Sequence, residues 1–124
     1  MIMKKILTAF VLFSGIFTVS AQEVTPLTTI QQEKNNLRTY AENDATFVDS
    51  KLELNGENYG VLVQVFYNKY KMLTNDNDET AITEIATMTT NRLKEVLTIE
   101  KYSELAEIEG AIEKLSGLIY LNQH

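Results

Sequence analysis

The chain contains one seven-residue phrase twice: Leu54-Asn55-Gly56-Glu57-Asn58-Tyr59-Gly60 and, 43 positions later, Leu97-Thr98-Ile99-Glu100-Lys101-Tyr102-Ser103. Each copy begins with Leu, continues with a residue that can cap a helix, and has a Glu three residues after the Leu. A cap oxygen accepts hydrogen bonds from the first free N–H groups of a helix, and the positive end of the helix dipole stabilises an early acid. The phrase therefore predicts two related helix starts, with Leu54 and Leu97 as equivalent entry residues.

The first 21 residues have the order of an export signal. Lys4 and Lys5 give a positive start, residues 6–19 form a 14-residue apolar region, and Val19-Ser20-Ala21 places small residues before a cleavage point. Such a region is short for a membrane span, and polar residues follow it, so an uncleaved anchor is disfavoured. We expect cleavage before Gln22, a single domain over residues 22–124, and a periplasmic or secreted protein without a stable membrane anchor.

The predicted mature chain is acidic and contains no cysteine. Its 103 residues carry 9 basic and 17 acidic side chains once the two lysines of the signal are removed. Nucleic acid and anionic lipid are poor partners for such a chain, because binding them depends on cationic groups. Without disulfides, a domain of this size must be stabilised by packing around one modest core, which helices provide most readily.

The spacing of apolar residues predicts an all-α fold, a small hairpin or bundle of three to four helices. Thr25-Pro26 suits a first helix start, with Pro at the first helical position. We expect an interruption of this helix at Asn43-Asp44. The second helix is predicted to begin at Asn55 and to run to about Leu73. It is apolar nearly all round in its first half, which is typical of a helix at the centre of a bundle or inside an oligomer.

The remaining helices are predicted from caps and apolar stripes. Asp76 or Asp78 can cap the third helix, and Thr98 the fourth. Gly110 falls inside the predicted fourth helix, where the close approach of a neighbouring helix would explain a glycine. The residues expected to be buried are Leu62, Phe66, Ile85, Leu93, Leu105, Ile108 and Ile112.

A β-hairpin competes with the predicted second helix. Leu52-Glu53-Leu54-Asn55-Gly56-Glu57 resembles a strand that enters an Asn-Gly turn, and residues 61–67 are rich in strand formers. Helix is favoured because the apolar stripe is too long for one typical strand and because no other segment offers a sheet partner. The hairpin remains an open alternative from the sequence alone.

No set of residues in the chain predicts catalysis, a metal site or a cofactor. Residues 75–80 resemble a calcium loop, but Ala81 stands where the loop needs Gly and Thr87 where it needs Glu. His124 is the only histidine, and it has no His or Cys companion. The carboxylates of the predicted fourth helix are typical of a solvated face. We therefore expect no enzyme, no cofactor and no bound metal.

Two residues of the second helix are candidates for a partner-binding surface. Val63 and Tyr67 lie off the main apolar stripe, where exposed aromatic and aliphatic side chains would give adaptable contacts. The competing interpretation is core packing, with the tyrosine hydroxyl at the surface. A continuous exposed patch around both residues would favour partner binding.

The repeated phrase resembles the Leu-Thr-x-x-Gln motif of the Spy/CpxP-like family of small periplasmic helical proteins. The motif positions are Leu54, Asn55 and Asn58 in the first copy and Leu97, Thr98 and Lys101 in the second. Asn58 and Lys101 stand where the family has Gln. The resemblance covers residues 51–109, in the order motif, helix, polar loop, helix, motif, helix.

This resemblance implies an all-helical hairpin-like domain that is often paired into a curved dimer. It also implies a role in envelope stress, either in binding unfolded client proteins or in damping a sensor. We therefore expect a non-catalytic, chaperone-like exported protein that binds unfolded or envelope proteins. The alternative is a small structural or interaction module that forms a homo-oligomer and binds no client.

Overall fold

A computed structural model of the protein describes Pro26, residues 36–74 and residues 76–123. These residues contain five α-helices and a 3₁₀ helix: α1 (Leu37–Leu52), α2 (Tyr59–Met72), α3 (Glu79–Val96), α4 (Ile99–Ala106), α5 (Ala111–Ser116) and the 3₁₀ helix (Leu118–Gln123). No strand occurs in this part of the chain. The predicted all-α bundle is confirmed, and the β-hairpin alternative is wrong.

Several expectations about the ends of the chain fall outside the described residues. These are the export signal over residues 1–21, the helix cap at Thr25 and the position of His124. Pro26 itself is not helical. Within the described residues, no helix combines the length and the apolar character that a bilayer span requires.

Helix α1 is continuous through Asn43-Asp44, so the predicted interruption there is wrong. Asp44 is buried at 5% exposure and belongs to the same helical stripe as its apolar neighbours. The buried residues of α1 are Leu37, Ala41, Asp44, Ala45, Val48 and Leu52. Tertiary packing along this stripe outweighs the weak helix propensity of Asn and Asp.

The α1–α2 connection shows why the first copy of the phrase is not a helix start. Asn55 has φ +57° and Asn58 φ +62°, so both adopt the left-handed conformation that Asn tolerates. The backbone N–H of Gly56 donates to Asp49 Oδ1 at 2.8 Å, which fastens the loop back onto α1. Helix α2 then begins at Tyr59, four residues after the predicted start. Asn55 is therefore a turn residue and not a cap.

The second copy of the phrase behaves as predicted. Thr98 caps α4 by accepting a hydrogen bond from the backbone N–H of Lys101 at 3.1 Å. Asp78 caps α3 in the same way, because its Oδ1 accepts from the N–H of Ala81 at 2.8 Å. Leu97 thus precedes a helix directly, whereas Leu54 precedes a loop, and the two are not equivalent entry residues.

The predicted fourth helix is divided into α4 and α5 by a turn that ends at Gly110. Gly110 has φ +78°, and a Cβ built there would meet nothing within 4 Å. The expectation that a neighbouring helix approaches this glycine closely is wrong, since its left-handed conformation explains it. The turn directs α5 and the 3₁₀ helix against α3, and they also reach the second half of α2.

Helix α2 lies at the centre of the bundle, packed against α1 and α3. Five of the seven residues predicted to be buried are buried: Leu62, Phe66, Ile85, Leu93 and Leu105. Ile108 and Ile112, which flank the α4–α5 turn, are only half-buried. The central position accounts for the apolar character of α2 without an oligomer.

Candidate functional site

The predicted partner-binding pair does not form an exposed patch. Val63 is buried at 3% exposure inside the core, so the expectation that its side chain is available to a partner is wrong for the folded bundle. Tyr67 is half-buried and packs against the core, with Lys71 Nζ at 5.7 Å from its ring centroid. The apolar stripe of α2 is wider than its main line of residues, because α1 and α3 cover different sides of the helix.

The two copies of the motif meet at one end of the bundle. Asn58 Nδ2 donates to the carbonyl of Val96 at 3.4 Å, next to the second copy. Lys101 Nζ donates to the carbonyl of Leu52 at 3.2 Å, next to the first copy. Both positions that correspond to the family's Gln thus satisfy backbone carbonyls near helix ends. These contacts join neighbouring helices, and Leu97, the first residue of the second copy, is buried.

Among the described residues, the exposed large hydrophobic side chains lie elsewhere, on α2, α3 and α4. The large hydrophobic side chains that are exposed are Val61 (46%), Met88 (46%) and Ile99 (87%). Met88 borders a shallow groove of about 70 Å³ between α2 and α3. The groove is lined by Val65, Asn68, Met72, Met88, Thr89 and Arg92.

The groove has an apolar floor and a polar rim. Val65 is buried in the floor, and Thr89 is satisfied there because its hydroxyl donates to the Ile85 carbonyl at 2.8 Å. Arg92 on the rim forms an exposed ion pair with Glu95 at 3.4 Å. Unbranched methionine side chains adapt to irregular partners, so Met72 and Met88 give this small groove an adaptable lining.

A second feature is a charged cluster in the interior, which we call the polar lock and which consists of Asp44, Lys69 and Tyr70. Lys69 is fully buried, and its Nζ donates to Asp44 Oδ2 at 2.6 Å and to the Leu115 carbonyl at 2.8 Å. The Tyr70 hydroxyl donates to the same Asp44 oxygen at 2.8 Å. The ammonium also lies 4.2 Å from the Tyr70 ring centroid and 5.1 Å from that of Phe66.

Burial shifts the titration of the groups in and around the polar lock. Desolvation lowers the pKa of Lys69, and Asp44 opposes that shift through its charge and its hydrogen bond. Desolvation also raises the pKa of Tyr70, and the negative charge of Asp44 raises it further. The pKa of the buried Tyr120 is raised for the same two reasons.

The polar lock can hold segments together, but its full burial does not suit it to catalysis. A group with a shifted pKa acts on a substrate only when the substrate can reach it, and Lys69 has no exposed surface. In the described residues, no three His, Asp or Glu side chains are arranged to hold a metal ion. The lock instead joins α1, α2 and α5 through a single ammonium group.

Lys69 and Asp44 were not among the site residues that the sequence predicted, although a signal for them is present. Lys69 occupies a position of the apolar stripe that runs through Leu62, Phe66 and Leu73. Asp44 occupies the corresponding position between Ala41 and Val48. Opposite charges at core positions of two adjacent helices indicate a buried pair.

Comparisons with known proteins add no assignment. No protein-family model, no curated protein and no solved structure matches the chain. The groove between α2 and α3 and the polar lock are therefore interpreted from their own residues.

Proposed function

We propose that the protein is a non-catalytic exported protein that binds other polypeptides, in the way implied by its resemblance to the Spy/CpxP-like family. The observation that supports the proposal best is the groove between α2 and α3, where Met88 is 46% exposed above a floor that contains Val65. A hydrophobic groove with methionine in its lining suits partners that differ in sequence, since methionine repacks around different shapes.

Suppression of aggregation tests polypeptide binding. Reduced α-lactalbumin is a suitable test protein because it is acidic, so attraction to an acidic binder does not contribute. The wild type is expected to suppress its aggregation at moderate ionic strength, and Met88→Gln to suppress it less. Ile99→Gln is the matched control, because Ile99 is exposed on α4 and is not among the residues that line the groove. The absence of suppression by the wild type at several-fold excess would remove the proposal.

The homo-oligomeric module is the second candidate, and the exposure of Ile99 favours it. An isoleucine with 87% of its surface exposed at the start of α4 gains about 2 kcal/mol when a second copy covers it. Sedimentation velocity over a range of concentrations separates the two candidates. Because the family resemblance also implies dimers, a dimer that Ile99→Gln dissociates supports the module only if it suppresses no aggregation, whereas a monomer at all concentrations would exclude the module.

Export is a separate part of the proposal and has its own test. The order of charged, apolar and small residues before Gln22 supports it. The intact mass of the protein recovered from the periplasm or the medium is expected to correspond to a chain that begins at Gln22. Retention of Met1 in a membrane fraction would contradict export in soluble form.

A further inference from the structure

One segment closes the bundle without belonging to its long helices. We call residues 111–121 the strap: they contain α5 and most of the 3₁₀ helix. The buried residues of the strap are Ala111, Leu115, Ser116, Gly117 and Tyr120. Because these side chains and this backbone are buried against the rest of the bundle, the strap covers surface that would otherwise be exposed.

The attachment of the strap to α2 is polar at its centre. Lys69 Nζ reaches the Leu115 carbonyl at 2.8 Å while it also holds Asp44. Next to this contact, the strap approaches α2 closely: a Cβ on Gly117 would lie 3.7 Å from the Leu73 side chain. The positive φ of Gly117, +97°, further restricts this position to glycine.

Three properties make the contact between the strap and the rest of the bundle easier to open than the other packed surfaces. The strap consists of the six-residue α5 and part of a 3₁₀ helix, whereas α2 and α3 are 14 and 18 residues long. Gly110, with φ +78° and open space around it, provides a hinge. Opening also returns buried charges to water, and the recovered solvation offsets part of the lost contacts.

The closed bundle leaves little apolar surface for a partner, since Val61, Met88 and Ile99 are its only large hydrophobic side chains that are exposed among the described residues. We propose that the strap is a releasable cover and that the face of α2 and α3 beneath it is a polypeptide-binding surface. This inference rests on the proposed function and adds a second, covered surface to the groove between α2 and α3.

The chemistry of the covered face defines what can replace the strap. Lys69 offers an ammonium donor that already binds a backbone carbonyl, so it recognises a main chain without regard to side-chain sequence. Leu73 and the Phe66 and Tyr70 rings surround that donor or lie next to it. The occupant is therefore an apolar segment of an unfolded polypeptide that docks with a free carbonyl against Lys69.

Amide hydrogen exchange tests the release of the strap independently of any partner. The strap amides of Lys114 and Tyr120 have defined acceptors, the carbonyls of Gly110 and Gly117. We expect them to exchange faster than the amide of Phe66 in the centre of α2, through an opening that does not unfold the bundle.

Two matched substitutions separate local opening from global unfolding. Leu115→Ala and Leu62→Ala each remove the same atoms from a fully buried site, one in the strap and one in α2. We expect Leu115→Ala to accelerate the strap amides at least about tenfold. Leu62→Ala is expected to accelerate the Phe66 amide while the strap amides stay within about twofold. Equal acceleration of both sets by Leu62→Ala would overturn the releasable cover.

Binding is measured on the same variants with reduced α-lactalbumin as the probe. Leu115→Ala is expected to suppress aggregation at a lower molar ratio than the wild type, and Leu62→Ala to leave the ratio unchanged. If Leu115→Ala does not fold, Gly117→Ala replaces it, because an alanine at φ +97° strains the strap backbone, whereas its added Cβ meets Leu73 only at an ordinary contact distance of 3.7 Å. Faster strap exchange without stronger suppression would overturn the covered face as a binding surface. If neither the wild type nor Leu115→Ala suppresses aggregation, the proposed function is removed. The hydrogen-exchange result decides separately whether the strap is released.

Discussion

The two halves of α2 are buried by different chemistry in the same bundle. The first half buries Leu62, Val63 and Val65, which need only be removed from water. The second half buries Lys69 and Tyr70, whose polar atoms require partners at defined positions. The first half therefore contributes stability, whereas the second costs desolvation that its hydrogen bonds must offset.

The difference shows what the polar half adds. An apolar contact tolerates small shifts between helices, but Lys69 must reach Asp44 and the Leu115 carbonyl with the same Nζ atom. The two distances together restrict how α1, α2 and α5 can be arranged. The polar lock thus selects the position of the strap, while the apolar half supplies the free energy that makes the fold stable.

Breaking the polar half at its centre gives the largest expected effect. Lys69→Met leaves the Asp44 carboxylate buried at 5% exposure without its cation. The free energy of unfolding is expected to fall by about 3–5 kcal/mol, measured by urea denaturation. Lys71→Met is the control, since Lys71 is exposed on the same helix and should change stability by less than about 0.5 kcal/mol. A loss below about 1 kcal/mol for Lys69→Met would show that the ion pair is not buried as described.

Truncation of the apolar half gives the next effect. Leu62→Ala removes a fully buried side chain and is expected to cost about 2–5 kcal/mol in the same denaturation experiment. Val61, the residue before Leu62, is 46% exposed, and Val61→Ala should cost about 1 kcal/mol or less. Equal losses at both positions would contradict the central placement of α2.

A double substitution sharpens the contrast between the two halves of α2. Only in the polar half can a second substitution restore stability that the first one removed. Asp44→Leu combined with Lys69→Met removes both charges. It is expected to regain about 2 kcal/mol of the stability that Lys69→Met alone loses. Full recovery is not expected, since the Leu115 carbonyl and the Tyr70 hydroxyl lose their partners. If the double variant is less stable than Lys69→Met, the two charges do not interact as a pair.

Some local structure could be predicted because its causes are local. The caps at Asp78 and Thr98 depend on an oxygen within three residues of the N–H that it accepts from. The start of α3 followed from one of the two caps that the sequence offered, Asp78. The burial of Leu93 and Leu105 followed from the same periodicity.

The two copies of the phrase show why similar residue patterns form a helix cap in one place and a turn in the other. Thr98 is β-branched and disfavours a left-handed backbone, so it can hold the extended conformation of a cap, with φ −69° and ψ 163°. Asn55 tolerates the left-handed region and is followed by Gly56, so the same position becomes a turn. The polar lock was missed for another reason: the charges of Asp44 and Lys69 predict solvent exposure one at a time, and only their pairing across helices makes burial possible.

The smallest expected effect comes from one hydroxyl of the polar half. Tyr70→Phe removes the hydrogen bond to Asp44 and should lower the free energy of unfolding by about 1.5 kcal/mol at pH 8.

The wild type should also lose stability above pH 10. The folded state keeps the Tyr70 proton there because its pKa is raised, whereas the unfolded chain releases it. The lowered pKa of Lys69 has the opposite effect, since it makes stability increase with pH. This effect ends at about pH 10.5, the ordinary pKa of a lysine. Between about pH 10.5 and 11.5, the free energy of unfolding should therefore decrease less steeply with pH in Tyr70→Phe than in the wild type. The two slopes should differ by up to about 1.4 kcal/mol per pH unit. Urea denaturation followed by circular dichroism measures both slopes. Parallel declines in the two proteins would show that this hydroxyl is not buried against Asp44.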